Sequence, residues 1–248
     1  MNEHGDLTIY GRHPVLEALK DPAVVTLRVH LARENKRSPI LDEIRECAEA
    51  ASVEVYMVAR QKLSRISRNG KQDQGVAADL HCPHFDRLDE WLRAPVPDDC
   101  ELMAVDGVTN GQNLGMIVRS VAASPMAGLI VPDAGSARLD SLVIKASAGT
   151  LFGATVLSCT RLGEAIAMLK ASGFCIIGLD GGGSVDLAHC KPVGPTLFVL
   201  GNESTGLADD TRRQCDQLVR IPLAGGVESL NVAVAAGIVA MRRVVSGR

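Results

Sequence analysis

Thr196-Leu197-Phe198-Val199-Leu200-Gly201-Asn202-Glu203-Ser204-Thr205-Gly206-Leu207 runs without a spacer from an apolar strand-forming stretch into a turn that carries two glycines. A continuous apolar run of this length, bounded by a turn, reads as a strand buried on both faces. Similar runs recur at Leu102 to Val105, Leu129 to Val131, Phe174 to Leu179 and Leu218 to Ile221, with helical periodicity between them. One such helix carries Leu114, Ile117, Val118, Val121 and Ala122 as a single stripe and leaves Arg119 off it, free to reach outward. The last, Leu230 to Arg243, is small and apolar almost all round, so it needs more than one packing partner, and a second subunit is a natural one. Strands alternating with helices over residues 99–248 predict an α/β domain with a parallel sheet and helices on both faces.

Upstream, residues 1–83 read as a separate small α/β unit: a helix near Pro14 to Lys20, a strand Val24 to Leu31, a helix Pro39 to Ala51, a strand Val53 to Val58 and an apolar stretch Gly75 to Leu80. Residues 84–98 read as a linker, with a short helix near Leu88 to Leu92 and two prolines, Pro95 and Pro97, that favour an extended connector. No apolar stretch is long enough to span a membrane, and the opening residues are polar and acidic, so the expected location is the cytoplasm. Seven scattered cysteines with no C-x-x-C pair fit neither a disulfide framework nor a zinc site; His81-Cys82-Pro83-His84 lacks a second ligand pair, and no metal is expected.

The net charge of −3 gives no general affinity for nucleic acid, but its distribution does. Arg60, Lys62, Arg65, Arg68 and Lys71 fall within twelve residues that contain no acid, which reads either as a solvated helix face or as a phosphate-binding strip. One Trp, two Tyr and four Phe are too few for base stacking to be the main source of binding.

Parallel sheets bind ligands beyond the carboxyl ends of their strands, so the turns after Val105, Leu200 and Ile221 are where chemistry is sought. The first, Asp106 to Gly115, is rich in small and amide residues; Asn113 in it reads as a helix N-cap or a site residue. In the second, Glu203 is a solvated turn carboxylate or a site residue. The third, Ile221-Pro222-Leu223 through Ser229-Leu230-Asn231, alternates apolar with flexible residues, which suits a pocket whose backbone reads an adenine edge. Neither G-x-G-x-x-G after a first strand nor a P-loop occurs, which disfavours the usual dinucleotide and ATP folds, and Gly181-Gly182-Gly183 reads as a surface turn.

These three turns, in this order, resemble the three motifs of the SpoU/TrmH family of RNA 2′-O-ribose methyltransferases in the SPOUT superfamily. Asn113-x-Gly115-x-x-x-Arg119 is similar to the first, Leu200-Gly201-Asn202-Glu203-x-x-Gly206-Leu207 to the second, and Ile221-Pro222-Leu223 through Ser229-Leu230-Asn231-Val232 to the third. Tyr10-Gly11-Arg12-His13-Pro14 and Gln74-Gly75-Val76-Ala77 resemble the opening and closing of the small domain in the RlmB-like branch, which methylates a guanosine ribose of large-subunit ribosomal RNA. Asp73 and Ala233 depart from that branch, which commonly has His and Ser there. The departures leave a transfer-RNA ribose or another ribosomal guanosine open; separate alternatives are an antibiotic-resistance type of enzyme acting on a ribosomal adenosine and an inactive RNA-binding assembly factor, against which the intact Asn113, Arg119, Glu203 and Asn231 argue.

The resemblance implies a C-terminal trefoil knot, a homodimer and S-adenosyl-L-methionine held largely by backbone near Gly201, Ile221, Leu223 and Leu230. It further implies that Arg119, from its own chain or its partner's, lowers the pKa of a ribose hydroxyl. Glu203 would hold Arg119 or the ribose, Asn113 and Asn231 would orient the nucleophile, and Ser229 would bond cofactor or phosphate. RNA, ribosomal by this reading, would be gripped by the small domain through Arg12 and the strip Arg60, Lys62, Arg65, Arg68 and Lys71. No metal is required.

Overall fold

The computed structural model describes residues 6–22, 24–82, 84–245 and 247. The polar opening, residues 1–5, and Pro83 of the His-Cys-Pro-His cluster lie outside them. The chain divides into two compact units, residues 1–83 with 139–141, and residues 84–138 with 142–248.

The first unit runs β1 (Asp6–Tyr10), α1 (Arg12–Lys20), β2 (Val25–Ala32), α2 (Pro39–Ala50), β3 (Glu54–Val58), α3 (Arg60–Ser67) and β4 (Val76–His81). Its sheet has the order β1-β4-β2-β3, with β4 antiparallel to both neighbours and β3 parallel to β2. Consequently β1, β2 and β3 all end at one edge of the sheet, where β4 begins. Helices α1 and α2 pack on each other, while α3 seats Leu63 against Ala32, Val58 and Ala77.

The second unit contains β5 (Phe85–Arg87), α4 (Leu88–Trp91), β6 (Glu101–Val105), α5 (Gly111–Ala122), β7 (Gly128–Pro132), α6 (Ser141–Ala146), β8 (Val156–Cys159), α7 (Leu162–Ala171), β9 (Cys175–Leu179), β10 (Val185–Asp186), β11 (Thr196–Leu200), α8 (Asp209–Gln214), β12 (Gln217–Arg220) and α9 (Val232–Val245). All eight strands are parallel, in the order β10-β12-β9-β11-β6-β7-β8-β5. The opening apolar run is β11, paired with β6 on one side and β9 on the other, and every residue of both β6 and β11 is buried. Leu102, Ile130, Leu157, Ile166, Leu169, Ile176 and Leu197 form a single core with α7, and burying each contributes about 1.5–3 kcal/mol. Helices α5 and α9 pack against each other and against β7 and β11.

The structure corrects the linker expected at 84–98. Phe85–Arg87 is the edge strand beside β8, Leu88 is fully buried, and Trp91 and Leu92 pack on the same core. The short helix expected near Leu88 to Leu92 is α4, whereas a three-residue strand is too short to develop a period of its own. The final helix also begins two residues later than expected, because Asn231 caps it: its side-chain Oδ1 accepts from Ala233 N at 2.9 Å.

Candidate active site

Between β6 and β11 the strand order reverses: the chain runs from β6 to β7 and β8 on one side and from β11 to β12 on the other. A crevice opens at such a point beyond the carboxyl ends. The turns after these two strands are tied together there. Asn202 donates from Nδ2 to the Gly107 carbonyl at 2.7 Å, its Oδ1 accepts from Ser204 N at 2.8 Å, and Asp106 Oδ2 accepts from Ala208 N at 2.8 Å. Asn202 and Asp106 are bracing residues to which the sequence reading gave no role; their signal was the high frequency of Asx side chains in turns.

Gly201 is dictated by this packing. A Cβ there would stand 2.3 Å from the Gly206 carbonyl carbon and 2.4 Å from Leu207 N, both backbone atoms that cannot yield. Gly201→Ala is expected to cost roughly 1–3 kcal/mol of stability, the usual cost of overpacking, read as a lowered urea midpoint. Gly115 is likewise a packing residue, since a Cβ there would meet Ala146 Cβ at 2.5 Å and the Val143 carbonyl at 2.6 Å.

Asn113, Glu203 and Asn231 converge. Asn113 Nδ2 donates to Glu203 Oε1 in a short hydrogen bond, and Asn113 Oδ1 accepts from Asn231 Nδ2 at 3.1 Å. Asn113 is 7% exposed, so both halves of its amide are spent inside the protein. The N-cap reading of Asn113 is corrected: the cap of α5 is Asn110, whose Oδ1 accepts from Gln112 N at 2.8 Å and from Asn113 N at 3.4 Å. Asn231 likewise has its oxygen in the α9 cap and donates from its amide to Asn113, which it orients. Glu203 is half-buried, with one carboxylate oxygen committed to Asn113.

Arg119 lies apart from this relay. It is exposed in the last turn of α5 and has no recorded side-chain partner among the described residues. Six residues separate it from Asn113, which puts it roughly 9 Å along the helix and about 120° around it. Ile221 and Leu230 are half-exposed; Leu223 and Ser229 are exposed.

In the first unit, Lys62, Arg65, Arg68 and Lys71 are exposed, and Arg12 is half-exposed, its Nε donating to the Gln74 carbonyl at 3.3 Å. Arg60 departs from the expected strip. Its guanidinium lies 3.0 Å from Asp73, which is fully buried and also accepts from Ser67 Oγ at 3.0 Å and Gly75 N at 2.9 Å. A buried carboxylate needs its cation, so Arg60 holds the 68–75 loop.

The methylase-family model for the SpoU rRNA methylases matches residues 101–241, and the model for RNA 2′-O ribose methyltransferase substrate binding matches residues 8–85. The chain belongs to the SpoU rRNA methylase family. It is similar to an uncharacterized tRNA/rRNA methyltransferase of Mycobacterium leprae, 36% identical over 235 residues that cover 94% of this chain and 75% of the relative. A tRNA/rRNA methyltransferase of Mycolicibacterium smegmatis, also uncharacterized, is 34% identical over 233 residues, 93% of this chain and 74% of its own. Among solved structures, the SpoU methyltransferase AviRb from Streptomyces viridochromogenes in complex with the cofactor AdoMet superposes with a TM-score of 0.68 at 29% identity, over 98% of this chain and 92% of that one.

As a SpoU family member the chain is an RNA 2′-O-methyltransferase that uses S-adenosylmethionine. The residues present fit that cofactor. Residues 221–230 form neither helix nor strand, leaving main-chain donors and acceptors to bind a ligand, and Leu223 and Val227 expose apolar side chains beside them. A Cβ at Gly181 would stand 3.9 Å from the Glu228 carbonyl oxygen, so the turn after β9 adjoins the one after β12. Thiol chemistry is not offered by this unit's most strongly shifted cysteines: burial pushes Cys100 and Cys215 up to about 11 and Cys159 up to about 12, leaving them protonated near neutral pH. Among the described residues no group of three or more His, Cys, Asp or Glu is placed to hold a metal, and no helix is long and apolar enough to cross a membrane.

Proposed function

We propose that this chain methylates the 2′-hydroxyl of a guanosine in 23S ribosomal RNA, working in the cytoplasm as a homodimer, with residues 1–83 binding the RNA and the unit that begins at residue 84 carrying out transfer. The observation that carries this reading is the Asn231–Asn113–Glu203 relay at the point where the strand order reverses. S-adenosylmethionine, when bound, supplies a methyl group activated by its sulfonium; Gly201, Ile221, Leu223 and Leu230 lie in the turns that would hold it, with Ser229 beside them.

What the protein adds is alignment and charge. Asn231 fixes Asn113, Asn113 fixes one oxygen of Glu203, and the other oxygen is left to hold a ribose hydroxyl or a guanidinium. An arginine stays charged at neutral pH and cannot take the proton itself, so Arg119 against the 2′-hydroxyl favours loss of that proton to solvent water as the oxygen attacks. Orientation of this kind contributes several kcal/mol of barrier lowering.

The position of Arg119 supports a site completed across a dimer. Its helix is packed on α9, and α9 shows an uncovered apolar stripe: Val234 is 52%, Ile238 39% and Val245 83% exposed. A cavity of about 1060 Å³ runs along that stripe, lined by Leu187, Pro192, Val234, Ile238 and Met241, with Asp99, Glu101, Lys191 and Arg242 among its charged lining residues. An apolar face of this sort is what a partner subunit covers. Return of the last helix to α5, with Asn231 bonded to a residue 118 positions earlier, supports a C-terminal trefoil knot.

The test is transfer of labelled methyl from S-adenosylmethionine to unmodified total RNA, followed by mapping of the site resistant to alkaline cleavage. Label at one guanosine of 23S ribosomal RNA is expected. A modified adenosine or a transfer-RNA position would overturn the substrate, and absence of label in every RNA fraction would overturn the activity.

A further inference from the structure

In residues 1–83 twelve basic and twelve acidic side chains balance, and Lys20, Arg28 and Arg45 are paired with Glu43, Asp79 and Asp42. Because β1, β2 and β3 all end where β4 begins, four connections meet at one edge of the sheet. They are bonded into one surface. Arg12 Nη1 donates to Ser38 Oγ at 3.3 Å, Asn35 Nδ2 donates to the Gly75 carbonyl at 2.8 Å, and Asn69 Nδ2 donates to Tyr10 Oη at 2.9 Å. This edge carries Arg12, Lys36, Arg37, Arg68 and Lys71, of which all but Arg12 are exposed. Three acids stand at this edge: Asp73 is fully buried against Arg60, Glu34 accepts from Arg60 N at 3.1 Å, and Asp140, of the 139–141 segment that belongs to this unit, accepts from Tyr10 Oη at 3.4 Å. Acids Asp21, Glu49 and Glu54 sit at the other end, after α1, in the last turn of α2 and at the start of β3.

We propose that this loop edge is the RNA-backbone grip of the chain, with Lys36 and Arg37 as phosphate ligands alongside Arg12, Arg68 and Lys71. The proposal rests on the RNA methyltransferase reading and deepens it by giving the substrate a binding face. Lys36 and Arg37 stand in the Arg33–Ser38 connection, outside the basic run of α3, and only the parallel pairing of β2 with β3 brings the two together. The buried Asp73 fixes the 68–75 loop before RNA arrives, so the cations meet phosphates from a held surface, which lowers the ordering cost of binding.

The experiment compares the wild type, Lys36→Gln/Arg37→Gln, and a control that removes the same charge away from this edge, Lys20→Gln/Arg45→Gln. RNA affinity is measured by filter binding across a salt series, together with methyl transfer and calorimetric uptake of S-adenosylmethionine. Loss of two phosphate contacts is expected to weaken RNA binding roughly tenfold at about 0.1 M salt and to flatten the logarithmic salt slope by about 1.5, with cofactor uptake and the control unchanged. An unaltered affinity and slope in the edge variant, or an equal loss in the control, would overturn the grip while a methylating wild type left the activity standing. A wild type that binds RNA through this edge but transfers no methyl would overturn the enzyme reading alone.

Discussion

Dimers assembled from one Arg119→Ala chain and one Glu203→Ala chain are expected to regain methyl transfer, although each variant alone is nearly inactive. Removing a charge that acts on the developing alkoxide costs about 10²–10³-fold in rate, and Arg119→Ala alone is expected to show that loss with RNA binding retained. The recovery follows from where Arg119 stands. It is exposed, has no recorded partner, and is turned roughly 120° away from Asn113 on the same helix. If it serves the partner's relay, a mixed dimer contains one site with both residues intact and one with neither. Random assembly then yields about a quarter of wild-type activity, because half the dimers are mixed and each has one working site of two. Were Arg119 to serve its own chain, every site in the mixture would lack one residue, and co-expression would give no more than the separate variants.

The sequence carried the parts of this site that depend on local order. The run Thr196–Leu200 is legible because a strand buried on both faces must be apolar throughout, and Arg119 is legible as outward-facing because it falls off the apolar stripe of α5. What stayed hidden was set by distance along the chain. Asn113 reads as a cap or a site residue, and only the cap bond made by Asn110 and the contact of Asn113 with Glu203, 90 positions away, separate the two readings. Arg60 reads like the other cations of its run until the 68–75 loop folds Asp73 beneath it. Val156–Cys159 and Phe85–Arg87 are strands because they complete a sheet edge begun elsewhere, and pieces of three or four residues carry no period of their own.

The same reasoning applies to the pair that anchors α9. Glu101 opens β6 and Arg242 lies near the end of α9, 141 positions later, joined by a short hydrogen-bonded ion pair with 9% and 14% of their side chains exposed. Arg242 also stands 4.1 Å over the Phe198 ring and donates to the Val239 carbonyl at 2.8 Å. Burial pulls the Arg242 guanidinium below the usual arginine range, and Glu101 opposes that pull. Glu101→Ala removes the counter-charge and leaves a desolvated cation with one carbonyl and a ring, so a loss of about 3–5 kcal/mol in urea unfolding is expected. Replacing both, as Glu101→Leu/Arg242→Met, removes the stranded charge together with the pair and is expected to cost far less, even to stabilise. Equal losses in the single and double variants would mean that packing rather than charge compensation sets the energy, and a loss under about 1 kcal/mol in Glu101→Ala would mean that the pair is screened as at a surface. Glu101 is at the amino end of its strand, whereas the relay lies beyond the carboxyl ends, and α9 is fixed at its other end by the Asn231 cap. Glu101 and Arg242 also line the cavity beside α9 that a partner would cover, so it is the folded and dimeric fraction of Glu101→Ala that is expected to methylate at nearly the wild-type rate, which separates an anchor of the fold from a part of the chemistry.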